Sequence, residues 1–369
     1  MKLRLQQIRN ITLLINIFLF ILLIYTRLQV RIINDLWVDE IQQITNLTSL
    51  YHLIVEYLPE VPGGSPGDYL LTLPINKHFP FNKYMLGSVG LVSHILVFIF
   101  LPWAIKKLNV VHPEHIKLIT IVARALFVFD PTFTFQSMEV RPYASLPFYW
   151  IVSLFLVSKL LRFDVNKKRS LSVVKKVITI LLLTLLFVWH YYTILMFLSI
   201  YIYLKLQLQL QSFKNLLKSQ STKLIFYASS AALPFWFYFA SREPKYTYDT
   251  LSTIPIIIMQ IYAIDKGEPK GLAWQNWIYF FMLVCMLVII AIFLLSILTK
   301  YKILNQFSIN TFVKMNFILV ILPIFAILSL DLVKHYMFLY RQFVWTMLPF
   351  YISIGSLVSG LFIRWKNIS

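Results

Sequence analysis

Apolar residues come in long blocks separated by short basic stretches, and the block lengths set the architecture. At 1.5 Å per residue, ~20 apolar residues cross the ~30 Å hydrocarbon layer of a bilayer. The first block, 11–25, follows Lys2, Arg4 and Arg9, which places the N-terminus in the cytoplasm. Further blocks at 84–105, 116–129, 142–161, 224–240, 277–298, 312–330 and 338–363 each read as one span. The block 177–204 is too long for one span and too short for two full ones. A hairpin of two short helices with Trp189-His190-Tyr191-Tyr192 at its tip keeps Lys205, Lys214, Lys218 and Lys223 cytoplasmic. Non-helical backbone at that depth requires cover by protein or by a wet cavity. The pattern therefore predicts an all-α polytopic membrane protein of about ten transmembrane helices, one domain over 1–369, with both termini cytoplasmic.

Two polar segments interrupt the blocks on the non-cytoplasmic side, 28–83 and 241–274. Within the first, apolar positions at Ile41, Ile44, Leu47, Tyr51 and Ile54 predict an amphipathic interfacial helix over 40–58. Pro59, Pro62, Gly63, Gly64, Pro66 and Gly67 then predict a loop.

Composition narrows the class. Hydrophobic residues are 59% of the chain and charged residues 13%, too apolar for a soluble protein with a core of this size. The net charge of +19 would suit nucleic acid, but its distribution does not. On this topology 22 of the 34 Lys and Arg face the cytoplasm beside only Glu114 and Asp164, so the basic character is a topology signal. The lone Cys285 forms no intrachain disulfide. His112-Pro113-Glu114-His115 has metal-like spacing but lies in a cytoplasmic loop without a third ligand, and Asn46-Leu47-Thr48 is a formal glycosylation sequon.

The polar residues at outer helix ends carry the chemistry. Asp39-Glu40 stands where the first span gives way to the outer loop. Two readings are open: capping of the interfacial helix, worth ~0.3–1 kcal/mol through the helix dipole, or a reaction centre. Asp130, Glu139, Arg141, His190, His335 and Arg341 lie on the same side, where charge beside lipid requires a cavity or a partner. Arg141 precedes Pro142, which favours extended backbone and places it at a helix lip, suited to bidentate grip of a phosphate or to pairing with Glu139 or Asp130. His190 fits phosphate binding, proton relay or an interfacial anchor. Arg341 fits a second phosphate contact or a cation that snorkels to the surface, and Arg124 within its span fits a cavity role or snorkelling.

The order of these features resembles the C-type membrane glycosyltransferases, including the protein O-mannosyltransferases and the bacterial aminoarabinose transferases. The resemblance rests on Asp39-Glu40 in the first outer loop and on Ser65-Pro66-Gly67-Asp68-Tyr69-Leu70-Leu71, where members carry a His-Pro-Pro-Leu-Tyr-type run. It also rests on Glu139-Val140-Arg141-Pro142-Tyr143 opening a helix, on His190-Tyr191-Tyr192, and on the closing helix from Arg341 to Pro349. Ser65 in place of the histidine and Gly67-Asp68 in place of the second proline and its neighbour are departures, as is the lack of a large C-terminal outer domain. The resemblance implies inverting transfer of a sugar from a polyprenyl-phosphate donor to a glycan, lipid or protein acceptor. Asp39 would be the general base and Glu40 its support. Glu139, Arg141, Tyr143, His190, Tyr191, Arg341 and Asp130 would bind substrate and phosphate. Some relatives hold a divalent metal such as Mg or Mn, for which Asp39 and Glu139 are the candidate ligands. It further implies a bacterial-type inner (plasma) membrane, with the site on the outer face. A polymerase or ligase of lipid-linked glycans is the alternative enzyme, expected to carry its major outer loop late in the chain. A flippase or transporter is the non-enzyme alternative, expected to show paired halves.

Overall fold

A computed structural model of the chain describes residues 2–33, 35–36, 38–60, 65–108, 115–140, 142–165, 172–207, 219–239, 306–326 and 344–366. Every regular element among them is helical. The expected span 277–298, the second outer loop 241–274, Arg141, His335 and Arg341 lie outside the described residues, as does all of the His112–His115 motif but His115. Among the described residues, three segments are long and apolar enough to cross a membrane: Asn10–Ile33, Lys83–Lys107 and Tyr143–Arg162. Tyr192–Gln207, Asn310–Ala326 and Val344–Gly360 are shorter apolar helices.

The chain divides into two compact units. The first comprises Met1–Leu22, Val110–Phe135 and Tyr246–Ser369; the second comprises Leu23–Asn109 and Gln136–Lys245. Helix α1 (Lys2–Ile33) contributes to both.

In the first unit, α5 (Ile116–Phe129) packs along α12 (Met347–Lys366), and α11 (Gln306–Asn316) packs on α12 as well. Close approach requires Gly355, where a Cβ would meet the Ile119 carbonyl oxygen at 2.9 Å. The Asn316 amide donates to Ser353 Oγ at 2.8 Å, a polar tie between buried apolar faces. Arg124 is not aimed at bulk solvent, for it donates to Asn16 Oδ1 at 2.5 Å.

The second unit is built on α4 (Lys83–Lys107), which packs against α7 (Leu146–Val165) and α3 (Pro66–His78). Helices α8 (Val173–Trp189) and α9 (Tyr192–Gln207) form the expected hairpin, with His190 and Tyr191 between them. Helix α8 packs on α10 (Gln220–Phe239), where Trp236 Nε1 donates to the Phe187 carbonyl at 3.0 Å. Lys205 of α9 is buried and pairs with Asp164 at 2.7 Å, and Asp164 also accepts from Ser221 N at the start of α10.

Three expectations shift. The interfacial helix is short, α2 (Val38–Asn46), and a π-helical turn His52–Tyr57 follows it instead of one continuous helix to Leu58. The break falls at Ser49, whose hydroxyl accepts from His52 N at 3.1 Å and restarts the helical chain. Part of the expected loop is helix α3, because Pro66 occupies a first-turn position where its fixed φ is pre-organised and its missing N–H costs nothing. Pro142 opens a 3₁₀ turn, Pro142–Ser145, and the α-helix proper starts at Leu146.

Candidate functional site

The acidic motif is held from behind. Helix α1 carries Arg31 in its last turn, and a short connection returns the chain into α2, with Asp39 and Glu40 in its first turn. Glu40 is almost fully buried, at 1% exposure. Both its oxygens accept from Arg31: Nη1 reaches Oε2 at 3.0 Å, and Nη2 meets Oε1. Oε1 also accepts from Val140 N at 2.7 Å, a contact across 100 residues of sequence. A carboxylate desolvated in this way is stabilised by its forked guanidinium and a backbone donor. Glu40 is thus a structural junction that fixes the start of α2 against the 137–140 segment, and its oxygens are committed rather than offered to a metal. The side chain of Asp39 lies outside the described residues. At the surface, Lys83 donates to Asp35 at 2.9 Å, and this bond and charge hold the exposed Asp35 carboxyl below its usual range.

Two glycines of α4 admit the other half of the junction. A Cβ on Gly87 would meet the Met138 carbonyl oxygen at 2.7 Å, and one on Gly90 would collide with the Ser137 carbonyl oxygen. The backbone leading into Glu139 therefore lies directly on α4, and Ser93 of α4 donates to Ser145 at 3.2 Å just beyond it. Leu36, Ile44, Ile75, Leu86 and Val140 pack into one apolar cluster around this contact. Glu139 and Tyr143 are half-buried beside it in sequence, flanking Arg141.

A second polar centre was not evident from sequence. Asp68, in the first turn of α3, is buried at 5% exposure. The Tyr149 hydroxyl of α7 donates to Asp68 Oδ1 at 2.7 Å and accepts from Trp189 Nε1 at 2.8 Å. Gly67 makes room for this, since any Cβ there would collide with the Trp189 indole. Asp68 Oδ2 is buried with no hydrogen-bond partner. Burial pushes the carboxyl up to about 7, against the opposing pull of the Ser145 and Tyr149 hydroxyls. The resemblance run Ser65–Leu71, the helix after Glu139 and the hairpin tip are therefore in contact through three side chains.

His190 sits next to this chain of bonds, its ring centroid 6.3 Å from Tyr149 and stacked on Tyr191 at 4.8 Å and Tyr192 at 5.3 Å. Its Nδ1 accepts from Tyr192 N at 3.2 Å, which leaves Nε2 to carry the proton. With Nδ1 acting as an acceptor, the ring is neutral and offers a donor rather than a positive charge. Asp130 belongs to the first unit, where it accepts from the Tyr351 hydroxyl and, at 3.3 Å, from Phe133 N at the start of α6 (Pro131–Gln136). Among the described residues no group of three His, Cys, Asp or Glu has a metal-binding arrangement.

Sequence reading missed Arg31, Tyr149 and the burial of Asp68. Only the position of Asp68 within the Ser65–Leu71 run pointed to it. Arg31 and Tyr149 carry no local signal, because their partners lie 9 and 81 residues away. No family model, no curated protein and no solved structure matches the chain.

Proposed function

We propose that the chain is a polytopic glycosyltransferase of about ten membrane helices, moving a sugar from a polyprenyl-phosphate donor to an acceptor on the non-cytoplasmic face. The observation that supports this most is the Glu40 junction. It ties the acidic pair of the first outer loop to the segment that carries Glu139 and leads into Arg141, 100 residues later. Those are two of the five short motifs on which the resemblance to the C-type membrane glycosyltransferases rests. Positive charge on the cytoplasmic loops and a polar hairpin tip accord with a site on the outer face of a bacterial-type plasma membrane.

In this reading Asp39 is the general base. An acceptor O–H gives its proton to the Asp39 carboxylate as the oxygen attacks the anomeric carbon from the face opposite the leaving group. The bond from that carbon to the phosphate oxygen breaks, and the polyprenyl phosphate departs with the electron pair, so configuration inverts. Arg141 would meet the charge that develops on the departing phosphate. Glu40 holds the base in place through Arg31 and Val140. His190, being neutral, serves as a hydrogen-bond donor and not as a counter-ion.

The test is transfer from a labelled polyprenyl-phosphate sugar in membranes that contain the full chain. Asp39→Asn lowers the initial rate by about 10²–10⁴-fold, the usual worth of a positioned base. A rate close to wild type in folded Asp39→Asn protein overturns the base assignment. Wild-type protein that consumes no such donor overturns the transferase reading.

A further inference from the structure

The turn that joins α3 to α4 is held in a strained shape. Phe81 has φ 57°, and among the described residues no other non-glycine has a positive φ. A bulky side chain in that region is an outlier that its surroundings must impose. Two asparagines impose it. The Asn76 side chain accepts from Phe81 N at 3.4 Å and donates to the Ile44 and Leu47 carbonyls beside the end of α2. Asn82 accepts from Tyr84 N and Met85 N, both at 3.1 Å, and so caps α4. The turn fixed in this way displays aromatic surface, for Phe79, Phe81 and Tyr84 are each close to half exposed.

Its place and its charge say what covers that surface. The turn lies at the end of α4 opposite Lys106 and Lys107, and Lys83–Lys107 is long and apolar enough to cross a membrane. A turn at the mouth of a span meets the headgroup layer, where aromatic rings gather. The sequence holds no acid between Asp68 and Glu114. Lys83 is matched by Asp35 at 2.9 Å, whereas Lys77 stands exposed in the last turn of α3 and has no acid beside it in sequence. We propose that this turn is a membrane anchor: Phe79, Phe81 and Tyr84 enter the headgroup layer, and Lys77 draws anionic phospholipid to them. Because Asn76 ties the turn to the end of α2, the anchor sets the depth of α2 and α3 together. Lipid binding here requires no turnover, so it stands apart from the transfer reaction.

The test places photoreactive benzoylphenylalanine at position 81, and in a second variant at position 79, of the full-length protein. Each is held in nanodiscs of equimolar phosphatidylglycerol and phosphatidylcholine, and adducts are identified by mass spectrometry after illumination. Both positions should label lipid, with phosphatidylglycerol adducts about fivefold in excess, the factor that one lysine near an anionic surface supplies. Lys77→Gln should bring the two lipids to parity while total lipid labelling is retained. Sodium chloride at about 1 M, where the screening length falls to about 3 Å, should do the same. Inorganic phosphate at matched ionic strength should leave the excess unchanged, and its loss there would mean a free-anion site and overturn the lipid assignment. Asp39→Asn should label as wild type does, which keeps this result distinguishable from failure of the transfer reading. Equal labelling of the two lipids in the wild-type background, or adducts at both positions confined to protein, overturns the proposal.

Discussion

Asp68→Asn isolates one buried proton. The variant keeps the shape of the side chain and an oxygen to accept from Tyr149, and it removes only the ability to ionise. In the wild type the carboxyl holds its proton to about pH 7, against 3.8 for a free aspartate. Its contribution to stability is fully present below pH 3.8, where folded and unfolded chains are both protonated, and is lost as the pH rises to about 7. Over that window the unfolded chain has released the proton that the folded one retains, so folding takes up a proton. The full difference is worth roughly 4 kcal/mol, a large share of the stability of an ordinary domain. Thermal midpoints in detergent, followed from about pH 5 to about pH 8, should fall for the wild type and stay level for Asp68→Asn, which becomes the more stable protein at the alkaline end. Infrared difference spectra should show a protonated carboxyl band that disappears with a midpoint near 7 and is missing from the variant. Parallel pH profiles for the two proteins would refute the reasoning, as would a band that titrates near the value of a free aspartate.

Other perturbations follow from the packing. Arg31→Ala strands the buried Glu40 carboxylate and should cost roughly 3–5 kcal/mol by denaturant titration, whereas Glu40→Gln, which removes the charge but keeps an oxygen for Val140 N, should cost less. Gly90→Ala drives a methyl into the Ser137 carbonyl, and a loss of about 1–3 kcal/mol is expected in the same titration. Lys205→Met leaves Asp164 buried without its cation and should lower the thermal midpoint, while Lys205→Met combined with Asp164→Leu should recover most of it; equal midpoints in all three proteins would show the pair to be energetically idle.

What the sequence made legible is what local spacing controls. The limits of α4 and α5, and the split of 177–204 into two short helices around His190, follow from block length and from where lysines fall. Helix α3 was hidden because Pro66, Gly67 and Pro74 are turn residues by composition, yet here Pro66 starts a helix, Gly67 makes room for an indole and Pro74 lies within the helix. The acidic pair was visible, but the division of labour within it was not. Glu40 is told apart from its neighbour only by Arg31 and Val140, and the second of these contacts depends on a backbone N–H far along the chain. Asp68 is an ordinary acid in a polar loop until α7 and the hairpin tip cover it.

The bond from Trp189 to Tyr149 and the clearance at Gly67 also impose a timetable on synthesis. At about 5–20 residues per second, Trp189 is made on the order of 6–24 s after Gly67. During that interval α4, α5 and α7 are all translated, and α3 waits with its acid uncovered and its indole slot empty. A helix with a carboxylate in its first turn and a proline in its middle is a poor candidate to enter lipid alone. Its indole slot is filled only once the α8–α9 hairpin has been made. The same region is completed later still, when Phe239 of α10 joins Leu47, Leu53, Leu58 and Tyr69 in one apolar cluster.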